Sequence, residues 1–454
     1  MRTILALPLA ASLLLVACGG SGEPSPHVFL ITVDTLRADH LSMNGYGRET
    51  SPNLDAFAAE ALHYEQAVAV LPKTGPSVTT HLTGRDPCET GVTANRILIP
   101  AQVPMVAEMF KAAGYRTAAF VSNPVLSPDK GYSRGFDKYA EFAKVGGLDE
   151  MNRRALKWMD RQEWTEPTFV WLHYIDPHGP YTPKGEYRNM FQDDALALAD
   201  TRTLPTSYTP LAGWPASYVH GAIPNYQLRG TQDKVSFYIA SYDAELNYMD
   251  AAVGEILDFL RERELFDGAG IVFTADHGES LGEHDYWFEH GWYAYEDCQR
   301  IPMLVKPVGG VVGQRLSVQV SNLDTTPTLL EMAGVVPPGG LPGRGLIAPP
   351  ADSQPLFIQN TSTYPDSFSG VRLPPFKYLL DVETGAEELY DLALDPSETR
   401  NLIEESAEVA ERMRALHATL SEACTRRSLG DSVEVTPDAE TLRQLEELGY
   451  MGDH

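Results

Sequence analysis

Long apolar runs are almost missing from this 454-residue chain: after Ile4–Val16 no stretch reaches the roughly 20 apolar residues that a membrane-spanning helix requires. Cysteine is scarce, with four residues, which is too few for a disulfide framework to replace a hydrophobic core. Positive charge is also in short supply. Thirty-five Lys and Arg face 62 Asp and Glu, giving a formal charge of −27. Such a surface repels polyanions, so nucleic acid is excluded as a partner, and so is electrostatic adhesion to anionic lipid. It does not bear on an active site, where a bound cation reverses the local field. Neither an internal repeat nor a low-complexity tract is present. What is present is 43% hydrophobic residues over a length that fits one large α/β domain plus a smaller unit.

The first segment reads as a targeting signal rather than as fold. Met1-Arg2 is a short positive start, Ile4–Val16 is an apolar run too short to span a bilayer, and Leu15-Val16-Ala17-Cys18 closes it. That ending is similar to a bacterial lipoprotein signal, cut before a cysteine that then carries lipid; the plainer alternative is a secretory signal with a chance cysteine. The expectation is a signal peptide at 1–17, lipidation of Cys18, a Gly/Ser/Pro tether at 18–26, and a place in the cell envelope with membrane attachment through that anchor. Cys88, Cys298 and Cys424 are left. One disulfide and one thiol fit an oxidising compartment, and the sequence does not choose the pair.

Several apolar runs then end in polar, metal-capable side chains. His27–Val33 runs into Asp34, Thr117–Val121 into Ser122-Asn123, Phe169–Ile175 into Asp176-Pro177-His178, and Gly270–Ala275 into Asp276-His277. Buried parallel strands with a shared site beyond their carboxyl ends show this pattern. Helical periodicity falls between them, over Asn53–Leu62, Val103–Ala113 and a long segment starting near Asp233 whose apolar residues are core packing. Lys184–Gln232 lacks periodicity and is expected to be a substrate-selecting lid or a solvated insertion. The Pro/Gly-rich stretch 334–350 marks a boundary between a catalytic domain at 27–336 and a C-terminal subdomain at 351–454, with short strands and a helix over about Glu405–Cys424.

The chemistry centres on Leu71-Pro72-Lys73-Thr74-Gly75-Pro76-Ser77. A turn delivers the Thr74 hydroxyl to the mouth of a short helix, with Pro76 suited to the first turn and Gly84 to the stop. The free N–H groups and positive dipole end of such a helix hold an anion. Asp34, Asp276 and His277, with the oxygen of Thr74, offer two carboxylates, an imidazole and a hydroxyl for one divalent cation. A metal-activated threonine is a competent nucleophile.

Taken together, these pieces resemble the sulfatase family of the alkaline phosphatase superfamily. The resemblance rests on Thr32-Val33-Asp34-Thr35-Leu36-Arg37-Ala38-Asp39, Leu82-Thr83-Gly84-Arg85, Asp176-Pro177-His178-Gly179-Pro180-Tyr181, Tyr242-Asp243-Ala244-Glu245, Asp276-His277-Gly278-Glu279, Leu389-Tyr390-Asp391-Leu392 and the closing Leu448-Gly449-Tyr450. It implies an α/β/α sandwich with a smaller C-terminal α+β subdomain. It also implies a metal at Asp34, Asp276 and His277, and anion contacts from His178 and His290. Lys73 joins them as a substrate-binding candidate. A second metal shared by Asp176 and His178 is the minor alternative.

The departures from the family pattern are informative. Where formylglycine-forming members carry Cys-x-Pro-x-Arg or Ser-x-Pro-x-Arg, this chain has Thr74-Gly75-Pro76-Ser77-Val78, and Thr35 replaces the second aspartate of the usual calcium pair. Threonine cannot yield that aldehyde. The changes resemble the threonine-nucleophile branches, which bind zinc or manganese more often than calcium. The reading is a metal-dependent hydrolase of sulfate or phosphate esters at the envelope, acting on a small-molecule, glycan or lipid anionic ester. A phospho-headgroup transferase and a non-catalytic binding lipoprotein are the alternatives.

Overall fold

The computed structural model describes residues 25–142, 147–205, 223–337, 339–360, 368–429, 432–448 and 450, with the backbone of 209–210 and 219–220. Cys18 and the expected signal lie outside the described residues, as does all of the tether before residue 25. In chain order the main elements are β1 (His27–Val33), α1 (Pro52–Ala58), β2 (Leu62–Val68), α2 (Thr74–Thr83), α3 (Val106–Ala112), β3 (Arg116–Val121), β4 (Lys138–Glu141), α4 (Leu148–Met159), β5 (Thr168–Tyr174), α5 (Val235–Glu262), β6 (Ala269–Ala275), β7 (Arg300–Ile301), β8 (Met303–Lys306), β9 (Gln314–Ser321) and α6 (Thr325–Ala333). They are followed by β10 (Leu356–Gln359), β11 (Phe368–Leu373), β12 (Phe376–Asp381), β13 (Glu387–Asp391), α7 (Ala407–Arg427) and α8 (Ala439–Glu447).

The first nine strands form one sheet in the order β7-β2-β8-β6-β1-β5-β3-β4, with β9 pairing β2. β1, β3, β4, β5 and β6 run parallel, as the apolar sequences of β1, β3, β5 and β6 predict; β4, Lys138–Glu141, is a short polar edge strand that the sequence did not announce. The other half departs from that expectation. β8 runs antiparallel to both β6 and β2, so the sheet is mixed. Helices cover both faces: α1, α4 and α5 pack together on one, and α2, α3 and α6 on the other. Strands buried on both faces must be apolar throughout, and Val28 to Val33 meet that demand with Thr32 as the exception, its hydroxyl 2.8 Å from Nδ1 of His173.

Helix bounds shift modestly from the sequence reading. The helix expected over Asn53–Leu62 stops at Ala58, because Leu62 already belongs to β2, and the helix expected from Val103 starts at Val106. Described parts of Lys184–Gln232 pack on α5, as the turn Gly185–Asn189 and the short helix Ala195–Ala199 do. After α6, β10-β11-β12-β13 form a separate antiparallel sheet with α7 lying across it. The disulfide joins Cys88 to Cys424 on α7 and leaves Cys298 as a buried thiol, which settles the pairing that the sequence left open. The expected sandwich with a smaller α+β subdomain is the observed architecture.

Candidate functional site

Strand register assembles the site. Val33 pairs with Ala275 of β6 and with Tyr174 of β5, so the next residues, Asp34 and Asp276, stand side by side at the carboxyl ends of two central strands. The ladder continues past the strand ends: the amide of Asp276 donates to the carbonyl of Val33 at 3.0 Å and that of Asp34 to Tyr174 at 2.8 Å. α2 is pinned to the same edge. Ser77 donates its hydroxyl to the carbonyl of Asp276 at 2.5 Å, and His81 reaches the carbonyl of Ala275 through Nε2 at 3.0 Å. Thr74 is the first residue of α2 and is thereby aimed at Asp276-His277. Gly75 is needed beside it, because a Cβ there would meet Asn95 at 3.0 Å, while its amide donates to Asn95 Oδ1 at 2.8 Å.

The two carboxylates are each held by one oxygen. Asp276 Oδ1 accepts from the amides of Thr35 (3.2 Å) and His277 (2.7 Å), whereas Oδ2 has no hydrogen-bond partner. Asp34 Oδ2 accepts from Asn123 Nδ2 and from the phenol of Tyr450 at 3.2 Å, whereas Oδ1 has none. The two unpartnered oxygens are the ones that face His277, since each lies 3.6 Å from its Nε2. Thr74 Oγ1 lies 3.3 Å from the same nitrogen. His277 donates through Nδ1 to the carbonyl of Gly278 at 2.8 Å; a carbonyl only accepts, so Nε2 carries a lone pair.

Asp34, Thr74, Asp276 and His277 are all 0% exposed. Buried acceptors without donors are costly, at about 1–3 kcal/mol each. Here two carboxylate oxygens without donors converge on an imidazole nitrogen whose partner is the Thr74 hydroxyl. A divalent cation relieves both oxygens and takes up the lone pair of the nitrogen, so the residues fit the group that the sequence implies. The electrostatics agree. Burial works to raise the Asp34 carboxyl, but the surrounding imidazoles, led by His173, overcome it and hold the group down at about 2. Burial and then the negative charge of Asp34 push Asp276 well above its ordinary value. Two adjacent buried carboxylates cannot both be ionised comfortably without a counter-charge. Burial holds His277 down at about 4, against the pull of Asp34, and therefore neutral, the form that ligates metal.

The remaining predicted residues also come to the site. The His290 ring lies tilted at 4.2 Å from that of His277 and edge on at 5.3 Å from that of His178. Each has Nδ1 engaged, His178 by the carbonyl of Gly179 at 2.8 Å and His290 by Glu279 Oε1 at 2.9 Å, and each has an unpartnered Nε2. Burial lowers both imidazoles, His290 the more. Burial thus favours the neutral imidazole with a lone pair at Nε2 in both. Lys73, just before α2, is buried, with its ammonium over the Tyr450 ring at 5.9 Å from the centroid. Among the described residues, Asp176 and His178 gather no third ligand for a second metal. The acid and thiol group at Asp86, Cys88 and Cys424 is accounted for by the disulfide.

Sequence reasoning did not assign roles to three side chains that shape the centre. Asn123, at the end of β3, orients Asp34. Glu279 orients His290 and is itself held by the Tyr181 hydroxyl at 3.0 Å. Tyr450 bonds Asp34 and lies 3.4 Å from Thr74 Oγ1. The polar ending of β3 was a usable signal for Asn123. Nothing local connects Tyr450 to Asp34.

The family model described as Sulfatase matches residues 26–335, and one described as N-sulphoglucosamine sulphohydrolase, C-terminal, matches 282–426. Similar curated proteins include an N-acetylglucosamine-6-O-sulfatase of Bacteroides thetaiotaomicron, 24% identical with 92% of this chain and 90% of the relative covered. A choline-sulfatase of Rhizobium meliloti is also 24% identical, covering 84% and 82%. Among solved structures, a protein in complex with its substrate D-glucosamine-2-N,6-O-disulfate superposes with a TM-score of 0.73 at 21% identity, covering 88% of this chain and 98% of that one. A phosphonate monoester hydrolase of Agrobacterium radiobacter gives 0.72 at 20%, covering 91% and 100%. These structures share the fold. With a family model matched from β1 to the end of α6 and a second reaching α7, the chain belongs to the sulfatase family.

Proposed function

We propose that this protein is a metal-dependent hydrolase of sulfate or phosphate esters in which Thr74 is the nucleophile. The observation that carries the reading is the Thr74 hydroxyl at the start of α2, 3.3 Å from His277 Nε2 and beside two carboxylate oxygens that lack donors. Asp34, Asp276 and His277 would hold the metal, with Thr74 Oγ1 completing the set; when bound, it supplies Lewis acidity that lowers the hydroxyl pKa and offsets charge on the ester oxygens. Zinc or manganese suits two carboxylates and an imidazole better than calcium does.

The chain's own residues do the rest. The N-terminal end of α2 and Lys73 attract the anionic ester. His178 and His290 present unpartnered Nε2 atoms in the same centre. Thr74 Oγ attacks sulfur or phosphorus in line, forming a threonine ester as the bond to the leaving oxygen breaks, while one of these imidazoles takes the hydroxyl proton and passes it to the leaving oxygen. It then takes a proton from the incoming water, which breaks the threonine ester, and returns that proton to Thr74 Oγ. Glu279 holds His290 in the tautomer that keeps its Nε2 free. The names of the relatives favour sulfated sugars, and the likeness to a phosphonate monoester hydrolase keeps phosphorus esters in range.

The test is hydrolysis by the metal-stripped protein given zinc, manganese or calcium separately, with aryl sulfate, aryl phosphate, diaryl phosphate and aryl phosphonate. Metal-dependent turnover that falls by at least about 10³-fold in Thr74→Ala supports the reading; turnover unchanged in that variant removes Thr74 as nucleophile. We further propose an envelope location through lipid on Cys18, supported by the sequence ending in Val16-Ala17-Cys18. Labelling with a radioactive fatty acid, lost in Cys18→Ser, is the expected result.

A further inference from the structure

Tyr450 lies beyond both family-matched regions, yet it sits in the catalytic centre. It arrives from α8, which packs on the turn Pro124–Leu126 directly after Asn123, with Leu445 and Leu448 buried in the main core. Its phenol oxygen accepts from Asn123 Nδ2 at 2.9 Å, donates to Asp34 Oδ2 at 3.2 Å and stands 3.4 Å from Thr74 Oγ1. Its ring lies 4.8 Å from that of His178, and the Lys73 ammonium sits over it.

These positions are the ones an ester needs. A sulfuryl or phosphoryl centre has to come within about 3–3.5 Å of the attacking oxygen, with its own oxygens spread toward the cations and donors around it. A phenol oxygen 3.4 Å from Thr74 fills one approach to the hydroxyl. The centre around it is closed: Thr74 is 0% exposed, and the Nε2 atoms of His178 and His290 are buried without partners. A substrate can reach Thr74 from that side only if Tyr450 moves.

We infer that Tyr450 is the resting occupant of the catalytic centre, an intramolecular competitor whose phenol takes the place of a substrate oxygen beside Thr74 and the Asn123 amide and withdraws together with α8 when an anion binds. The inference rests on the reading of Thr74 as nucleophile and adds a ligand built into the chain. Apparent affinity is then reduced by the fraction of molecules in which Tyr450 is seated.

The test compares the full-length wild type, Tyr450→Ala and Tyr450→Phe after metal loading. Binding of inorganic sulfate and inorganic phosphate is measured by calorimetry, and kcat/KM with aryl sulfate and aryl phosphate. The expected result is at least fivefold tighter anion binding in Tyr450→Ala with a matching rise in kcat/KM, and a smaller gain in Tyr450→Phe, which keeps the ring and loses the hydrogen bonds. In the wild type, saturating sulfate or phosphate is expected to speed amide exchange across residues 439–448; this reading needs no substitution to fold. Weaker anion binding and lower kcat/KM in Tyr450→Ala would make Tyr450 a working part of the centre and overturn the inference, as would exchange in the wild type that ignores both anions. Tighter anion binding in Tyr450→Ala with no ester turned over by any variant would keep the occupant and remove the hydrolase reading.

Discussion

Replacing Asp276 by Asn separates the cost of the site from its use. In the stripped protein Asp276 Oδ2 is a buried acceptor with no donor, beside the carboxylate of Asp34 and 3.6 Å from the lone pair of His277. An amide nitrogen in that place donates to His277 Nε2 and carries no charge. Satisfying one orphaned acceptor is worth about 1–3 kcal/mol, so Asp276→Asn is expected to be more stable than wild type by about that amount in chelator at neutral pH. With metal the order reverses. A cation held a hundredfold above its Kd stabilises the wild type by about 2.7 kcal/mol, and the variant forfeits most of that. Acidity supplies a second check. Because burial and Asp34 push Asp276 well up, the unfolded chain gives up this proton first as pH rises past about 4; wild type then loses stability toward neutrality, and the gap in chelator closes on acidification. Urea unfolding at pH 4 and pH 7, in chelator and in excess zinc or manganese, reads all four conditions. A variant that is less stable than wild type in chelator at pH 7, and that responds to metal as strongly as wild type does, would refute the assignment of Asp276 as a ligand.

Asn123→Ala removes one of the two donors that hold Asp34 Oδ2, and metal affinity measured by calorimetry is expected to fall about 10–100-fold with the fold intact by circular dichroism. Asp176 is pushed up to about 6 by burial, so the unfolded chain releases this proton first between pH 4 and 6 and the wild type loses stability over that window. Asp176→Asn should therefore gain about 1–3 kcal/mol at pH 7 and nothing at pH 4 in the same urea assay, and equal gains at both would sink the account. Cys88→Ser opens a loop that spans 336 residues and should cost about 2–5 kcal/mol, with reductant lowering the wild type and leaving the variant unmoved. Cys298, 0% exposed and with its thiol pushed well up by burial, should resist alkylation until the protein unfolds.

The parallel strands β1, β3, β5 and β6 were legible because strands buried on both faces cannot hide their composition, and each runs into a polar side chain of the candidate site. β8 and β9 were not. Met303–Lys306 is four residues long, and Gln314–Ser321 alternates polar and exposed at its start, so neither carries the signature of a central strand. The grouping of Asp34, Asp276 and His277 could be read since register places neighbouring strand ends together. The protonation of His178 and His290 could not, because it depends on burial and on the acceptor that each Nδ1 meets. Tyr450 was visible only as part of a recurring tripeptide; its place in the centre is set by the packing of α8, a property of the folded chain.

The position of β1 carries a consequence for how the chain is made. β1 lies in the middle of the sheet, flanked by β5 on one side and β6 on the other, and neither exists until residues 168–174 and 269–275 have been synthesised. Until β5 is made Val28-Phe29-Leu30-Ile31 has two bare edges, and one edge stays bare until β6 follows, a template for pairing with other nascent chains. The central sheet therefore cannot close strand by strand in the order of synthesis.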